Sequence, residues 1–165
     1  LSRRLGDFRR KTNKAVRIAR ALHGRLPIIY SATEHLDAVN VRWRGQISEN
    51  AKQLAHGNVL PEMNHNEIVG WNVDRTLMKK TAVVFLKDKG VLDRVRLREK
   101  ITRSIVRRHA GKVLEVSGEG SSLLARIFSL VYLGDWASFY LAILNGKDPT
   151  PVTVIEYLKG ELAKS

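Results

Sequence analysis

Three polar residues lie on one side of a helix that the sequence predicts between positions 36 and 54. Arg42, Gln46 and Glu49 follow one another at steps of four and three residues, and this spacing places them on a common helix face. The face combines a cation, an amide and a carboxylate. These three side chains are therefore candidate binding or catalytic groups.

A second polar cluster follows in the segment 61–71, PEMNHNEIVGW. Glu62, Asn64, His65, Asn66 and Glu67 fall within six residues, next to apolar positions. Functional side chains are often held on loops that a rigid scaffold positions. The density of hydrogen-bonding groups indicates a site rather than a plain connection.

The helix that carries the first cluster is predicted from its apolar spacing. Its apolar residues recur at three- and four-residue steps, which is typical of one buried helix face: Leu36, Val39, Trp43, Ile47, Ala51 and Leu54. Glycine and asparagine accept the left-handed conformation that ends helices. We therefore expect the helix to stop at His56-Gly57-Asn58.

The rest of the chain alternates between apolar strands and helices. We predict strands at 26–30, 81–86 and 113–116, and helices at 2–24, 92–109, 122–144 and from 148–151 to 159. The near-continuous apolar run at 81–86 is typical of a parallel strand covered on both faces. The pattern predicts an α/β fold, a three-layer αβα sandwich with a parallel sheet of about four strands. Ligands in such folds bind beyond the carboxyl ends of the strands.

Local details follow from the same patterns. Ser31 or Thr33 is expected to cap the helix after the first strand, and the turn at 117–122 is expected to cap the next long helix. The helix 92–109 is expected to turn four apolar side chains inward: Leu92, Val95, Ile101 and Ile105.

Composition narrows the function classes. The 165 residues include 29 Lys and Arg against 16 Asp and Glu, a net charge of +13, and contain no cysteine. Disulfides and thiolate chemistry are thereby excluded, and a reducing cytoplasm fits. The apolar run beginning at Leu123 is broken by Arg126, so we expect no membrane span. The basic residues lie at helix-surface spacing without the aromatic pattern of RNA-binding motifs, so a solvated face is favoured over nucleic acid binding.

Three long motifs carry a resemblance to a known family: RWRGQISENAK, PEMNHNEIVGW and LGDWASFYLAILNGKDPTPVTVIEYLK. They resemble the carboxyl-terminal half of bifunctional phosphoglucose/phosphomannose isomerases, a branch of the sugar isomerase (SIS) domain family. The resemblance implies a flavodoxin-like SIS domain at 25–165, preceded by a basic linker or packing helix at 1–24. It also implies an amino-terminal SIS domain as partner, whose Ser/Thr-rich loop grips the phosphate.

The resemblance also assigns roles to residues. It implies interconversion of glucose 6-phosphate, and of mannose 6-phosphate, with fructose 6-phosphate through a cis-enediolate. Glu49 matches the base that carries a proton between C1 and C2, and His65 matches the histidine that assists ring opening across a homodimer interface. Lys159 matches the lysine of the last helix, with Lys147 and Lys164 as competing positions. Arg42, Gln46 and Thr150 are the candidate substrate-binding residues.

The reaction requires neither a metal nor a cofactor in this interpretation, and the histidines lack a trustworthy metal-ligand spacing. Whether Arg42 pairs with Glu49 or faces the substrate is left open by the sequence. The alternative function is a non-catalytic SIS module that senses a phosphosugar or only dimerises.

Overall fold

The computed structural model describes residues 2–72 and 74–164, with Ser2 and Arg3 described by their backbone alone. The strands are β1 Leu26–Ala32, β2 His56–Leu60, β3 Thr81–Lys87 and β4 Lys112–Ser117. The longer helices are α2 Lys14–Leu22, α3 Thr33–Ala51, α6 Asp93–Val106, α7 Leu123–Leu144 and α8 Thr153–Leu162. The shorter ones are α1 Ser2–Leu5, α4 Glu67–Gly70, α5 Arg75–Lys79 and a 3-10 helix at Glu62–Asn64.

The four strands form one parallel sheet in the order β2-β1-β3-β4. Ile29 of β1 is in register with Gly57 of β2 and with Val84 of β3, and Val84 is in register with Leu114 of β4. Helices cover both faces of the sheet. The predicted α/β fold with three layers is therefore confirmed, and its strand order is that of flavodoxin-like sheets.

The larger core lies between one face of the sheet and helices α2, α3 and α7. Ile29 and Val84 point into it from the strands, and Trp43 of α3 is buried against α7. The indole Nε1 of Trp43 donates a hydrogen bond to the backbone oxygen of Leu130, at 2.9 Å. This bond satisfies the one polar atom of a large buried ring and fixes α3 against α7.

The smaller core lies on the opposite face of the sheet. Tyr30 and Phe85 point into it from β1 and β3, with their rings in an edge-on contact. Met63 and Trp71, from the segment after β2, are buried in the same core. This packing attaches the polar segment 61–71 to the sheet on both sides of His65.

The amino-terminal residues form two helices rather than the single helix predicted at 2–24. Asn13 starts α2, because its side-chain oxygen accepts hydrogen bonds from the backbone N–H groups of Ala15 and Val16. The apolar side of α2 is buried in the core shared with α3 and α7. We propose that the packing role expected of residues 1–24 belongs to α2.

The predicted end of α3 is wrong. The helix ends at Ala51, because Lys52 adopts the left-handed conformation, with a φ of 53°. His56, Gly57 and Asn58 instead begin β2. A Cβ on Gly57 would lie 2.6 Å from Asn40 Oδ1 and 2.7 Å from the Ile29 oxygen, so glycine is needed for close approach to β1 and α3.

Of the two predicted helix caps, the one on α3 is wrong and the one on α7 is confirmed. Ala32 precedes α3 without a side-chain cap, and Ser31 is buried, accepting a hydrogen bond from Asn40 at 3.2 Å. Ser122 does cap α7, because its hydroxyl oxygen accepts from the Ala125 N–H.

The predicted inward face of α6 is wrong for two of its four residues, because Leu92 and Ile101 are 67% and 53% exposed. Val95 and Ile105 are half-buried. The buried residues of α6 are Glu99, Thr102 and Val106. Glu99 finds a basic partner at the sheet, because Lys87 of β3 lies 3.8 Å from its carboxylate; Arg103, one turn further along α6, lies at the same distance. Burial still raises the pKa of Glu99 above its ordinary value.

Helix α7 continues through Arg126, which was expected to break the apolar run that begins at Leu123. Its most apolar part has a mean hydropathy of 1.6, so its length and composition would suffice to cross a membrane. Half of that part is buried inside the domain. The apolar character of α7 is accordingly that of a central core helix, which packs on α2 and α3.

Candidate functional site

Glu49 lies in the last turn of α3, where its side chain is exposed. It lines a cavity of about 330 Å³ whose walls come from the end of α3 and the start of α8. Lys52 ties the two walls together, since its Nζ donates to the Glu49 backbone oxygen at 2.6 Å and to the Pro149 oxygen at 3.4 Å. The carboxylate thus faces an accessible space large enough for a small polar molecule.

The other two residues of the predicted polar face are held toward α7. Both Oδ atoms of Asp135 accept hydrogen bonds from Arg42 Nη2, at 3.0 and 3.1 Å. Gln46 accepts from Asn50 at 2.9 Å. The sequence left open whether Arg42 pairs with Glu49. In the structure Arg42 pairs with Asp135 and not with Glu49.

His65 lies at the other end of the sheet, beyond the carboxyl end of β2, and is exposed. Its two neighbours are engaged elsewhere. Asn64 donates to Thr102 Oγ1 at 2.8 Å, and Asn66 accepts from the Glu67 N–H. These hydrogen bonds of the two asparagines are therefore not made to the His65 ring.

A single protomer does not bring Glu49 and His65 together. Helix α3 starts beyond the carboxyl end of β1 and runs back, so that Glu49 lies near the amino ends of the strands, shortly before β2. His65 follows the opposite end of β2, whose first and last residues are separated by roughly 13 Å. His65 thus lies beyond the carboxyl ends of the strands, where ligands bind in such folds, whereas Glu49 lies near their amino ends.

The carboxyl-terminal candidates lie on and before α8. All residues of α8 are exposed, Lys159 among them. Thr150 precedes the helix, and its backbone N–H donates to Asp148 Oδ1 at 2.9 Å. Because the first residues of α8 share the cavity with Glu49, Lys159 is carried on an element that starts beside the candidate base. Its competitor Lys164 forms an ion pair with Glu161 at 2.6 Å.

A polar network that the sequence did not reveal surrounds Glu67. The Tyr30 hydroxyl donates to Glu67 Oε1, and Asn58 Nδ2 donates to Oε2 at 2.8 Å. His56 Nε2 lies 3.3 Å from Oε2, and Trp71 Nε1 donates to the Tyr30 oxygen at 3.0 Å. Glu67 stands in the polar cluster of the sequence, but Tyr30 lies 37 positions away, and Asn58 and His56 belong to β2, which the sequence did not predict.

A buried ion pair closes the carboxyl end of β3. Arg126 Nε donates to Asp88 Oδ1, and the Gly90 N–H donates to Oδ2 at 3.1 Å. Arg126 holds the pKa of the Asp88 carboxyl below its ordinary value. Both partners are satisfied, so the pair is a structural contact. Within residues 2–72 and 74–164, no group of three or more His, Asp or Glu side chains could hold a metal ion.

Comparisons with known proteins agree with this architecture. The sequence model of the family described as "Bacterial phospho-glucose isomerase C-terminal SIS domain" matches residues 11–162. The bifunctional phosphoglucose/phosphomannose isomerase of Caldicellulosiruptor bescii is 41% identical over 92% of this chain and 45% of that protein. The Aquifex aeolicus protein of the same name is 42% identical over 92% of this chain and 47% of that protein.

Solved structures give the same picture. A glucose-6-phosphate isomerase like protein from Thermus thermophilus has a TM-score of 0.70 at 26% identity, covering 83% of this chain and 45% of that chain. Tagatose-6-phosphate ketose/aldose isomerase from Escherichia coli shares the fold, with a TM-score of 0.55 at 15% identity over 92% of this chain and 46% of its own. The chain spans about half the length of the curated relatives it matches. On these grounds it belongs to the bacterial phospho-glucose isomerase C-terminal SIS domain family.

Proposed function

We propose that this chain is the catalytic carboxyl-terminal half of an aldose–ketose isomerase that interconverts glucose 6-phosphate and mannose 6-phosphate with fructose 6-phosphate. The observation that carries the proposal is the position of Glu49, exposed on a cavity whose other wall is the start of α8. The names of the two relatives that are more than 40% identical support the substrate class.

The proposed chemistry needs three tasks from the protein. Glu49 removes the proton from C2 of the open-chain aldose and returns it to C1, for which a carboxylate suits because it can accept and give back the same proton. The enediolate formed in between carries negative charge, and Lys159 on α8 would stabilise it. His65 would assist the opening of the sugar ring by transferring a proton between the ring oxygen and the C1 hydroxyl.

The separation of Glu49 and His65 supports a site shared between two protomers. Within one protomer the two residues lie at opposite ends of β2. We therefore propose a homodimer in which His65 of one protomer approaches Glu49 of the other. In the complete protein, an amino-terminal SIS domain would supply the phosphate-binding loop, and the enzyme would act in the cytoplasm.

The substrate-binding roles of Arg42, Gln46 and Thr150 are proposed with one change. Arg42 is already paired with Asp135. A substrate would have to take Arg42 from Asp135, or else bind through Gln46 and Thr150 alone.

The test is a substitution of the base in the complete isomerase. Glu49→Gln keeps the shape and removes the proton-accepting ability, so turnover of fructose 6-phosphate should fall about a hundredfold or more with little change in KM. Glu34→Gln makes the same chemical change at an exposed residue in the first turn of α3, at the opposite end of the helix from Glu49, and should leave turnover unaltered. Near wild-type turnover by Glu49→Gln would refute the assignment, and substrate binding without turnover by the wild-type enzyme would favour a sensor.

A further inference from the structure

We propose that Glu67 is a positioning residue that sets the place of His65 and thereby acts on ring opening but not on proton transfer between C1 and C2. The inference rests on the proposed function and adds to it a residue whose role is separate from that of the base.

Three polar side chains converge on the Glu67 carboxylate. Its Oε1 accepts from Tyr30, and its Oε2 accepts from Asn58 and lies within reach of His56. Tyr30 belongs to β1, and the other two partners belong to β2. One carboxylate therefore connects the segment that carries His65 to two neighbouring strands of the sheet.

The second support is the rigidity of the partner that contacts Oε1. Tyr30 is fully buried, and its hydroxyl oxygen also accepts the hydrogen bond from Trp71. Burial, followed by the neighbouring Glu67 carboxylate, raises the pKa of Tyr30 far above its ordinary value, so the hydroxyl keeps its proton and remains a donor. Trp71 is itself buried, which ties the end of the segment to the same point.

The third support is the contrast between His65 and its surroundings. Met63 and Trp71 are buried on either side of it, whereas the His65 side chain is exposed. The segment is thus anchored by its flanks and presents the imidazole outward. Because a displacement of about 1 Å can cost roughly a hundredfold in rate, the anchors determine whether an outward-facing group is effective.

Two reactions of glucose 6-phosphate separate this role from that of the base. Its α and β anomers interconvert through ring opening and ring closing, without proton transfer between C1 and C2. Isomerisation to fructose 6-phosphate needs ring opening and proton transfer. Loss of His65 alignment should slow both reactions, whereas loss of the base should slow isomerisation alone.

The experiment compares Glu67→Gln with Glu34→Gln, the same change at an exposed residue of α3, in the complete isomerase. In Glu67→Gln the amide would face donors that now meet a carboxylate, so kcat for glucose 6-phosphate should fall about tenfold or more. Interconversion of its anomers, followed by NMR exchange, should fall by a similar factor, whereas Glu49→Gln should keep that rate within about twofold of wild type. Glu34→Gln should keep both rates within the same limit. Tyr30→Phe, which removes the Oε1 donor, should repeat both losses to a smaller extent.

A measurement on a double variant distinguishes an effect through His65 from a general folding defect of Glu67→Gln. If Glu67 acts through His65, adding Glu67→Gln to a His65→Ala enzyme should change the residual kcat for glucose 6-phosphate by less than about twofold, since interacting residues are not additive. Unchanged interconversion of the glucose 6-phosphate anomers by Glu67→Gln, or a full additional loss of kcat in the His65→Ala background, would overturn the inference. Failure of Glu49→Gln to reduce turnover would instead count against the proposed function.

Discussion

At the residue scale, the pairing of Asp88 with Arg126 makes a prediction about stability in acid. Arg126 depresses the pKa of Asp88 in the folded state, whereas in the unfolded chain the carboxyl titrates near its ordinary value of about 3.9. A depressed carboxyl pKa contributes stability above the unfolded value, and this contribution is lost as the pH falls through the folded value. We therefore expect the midpoint temperature of thermal unfolding to decrease as the pH is lowered below about 4.

Asp88→Asn isolates this contribution, because the amide resembles the protonated carboxyl. The difference in midpoint between wild type and variant should be largest at neutral pH and should narrow as the pH is lowered toward 3. A difference that stayed constant over this range would contradict the assignment.

The sequence predicted the positions of some site residues but not the partners that they contact. Glu49 could be placed on the polar side of α3 from local spacing alone. The partner of Arg42 could not, because Asp135 lies 93 positions away along the chain. Glu67 was visible as one acid among several, but Tyr30 lies 37 positions before it, so the network that gives it a role depends on the fold.

At the element scale, the contact between α3 and α7 depends on Gly134. A Cβ at this position would lie 2.6 Å from Trp43 Cε2, and the indole is held by its hydrogen bond to Leu130. Gly134→Ala should therefore force the two helices apart and lower the free energy of unfolding by about 1–3 kcal/mol. Denaturant unfolding followed by Trp fluorescence measures the change.

Gly45→Ala is the matched control within α3. Gly45 is exposed, and among the described residues beyond its own helix turn none has an atom within 4 Å of the added methyl. The variant should be more stable by about 0.5–1 kcal/mol, because alanine loses less conformational freedom in a helix. If Gly134→Ala and Gly45→Ala changed the free energy of unfolding in the same direction, the close contact between Gly134 and Trp43 would not determine the effect.

The elements differ in how well the sequence predicted them. β1 and β3 were predicted because a strand covered on both faces is a short apolar run. β2 was missed because its opening residues, His56 to Asn58, have the composition of a helix stop, and only the neighbouring backbone explains Gly57. The face of α6 was misassigned in part because Glu99 pairs with Lys87 of β3, and the spacing of apolar residues gives no sign of such a pair.

At the scale of the whole molecule, the chain alone should be a poor catalyst. It spans about half the length of its curated relatives, and the proposed phosphate-binding loop lies in the other half. Without the phosphate contact, the binding energy that positions the sugar is lost. We expect little or no turnover of fructose 6-phosphate by the 165-residue chain, measured by coupled assay at high enzyme concentration. Robust turnover would show that the chain holds a complete site.

Complementation between two inactive variants tests whether the isomerase site is shared between two protomers. Glu49→Gln and His65→Ala variants of the complete enzyme are unfolded together, mixed in equal amounts and refolded, with each variant refolded alone as the control. Random pairing makes about half of the dimers mixed, and each mixed dimer has one intact site and one doubly damaged site. If the site is shared, about a quarter of the wild-type activity should return in the mixture and none in the controls. A mixture as inactive as the controls would contradict a shared site, because every site would then carry a lesion from its own chain.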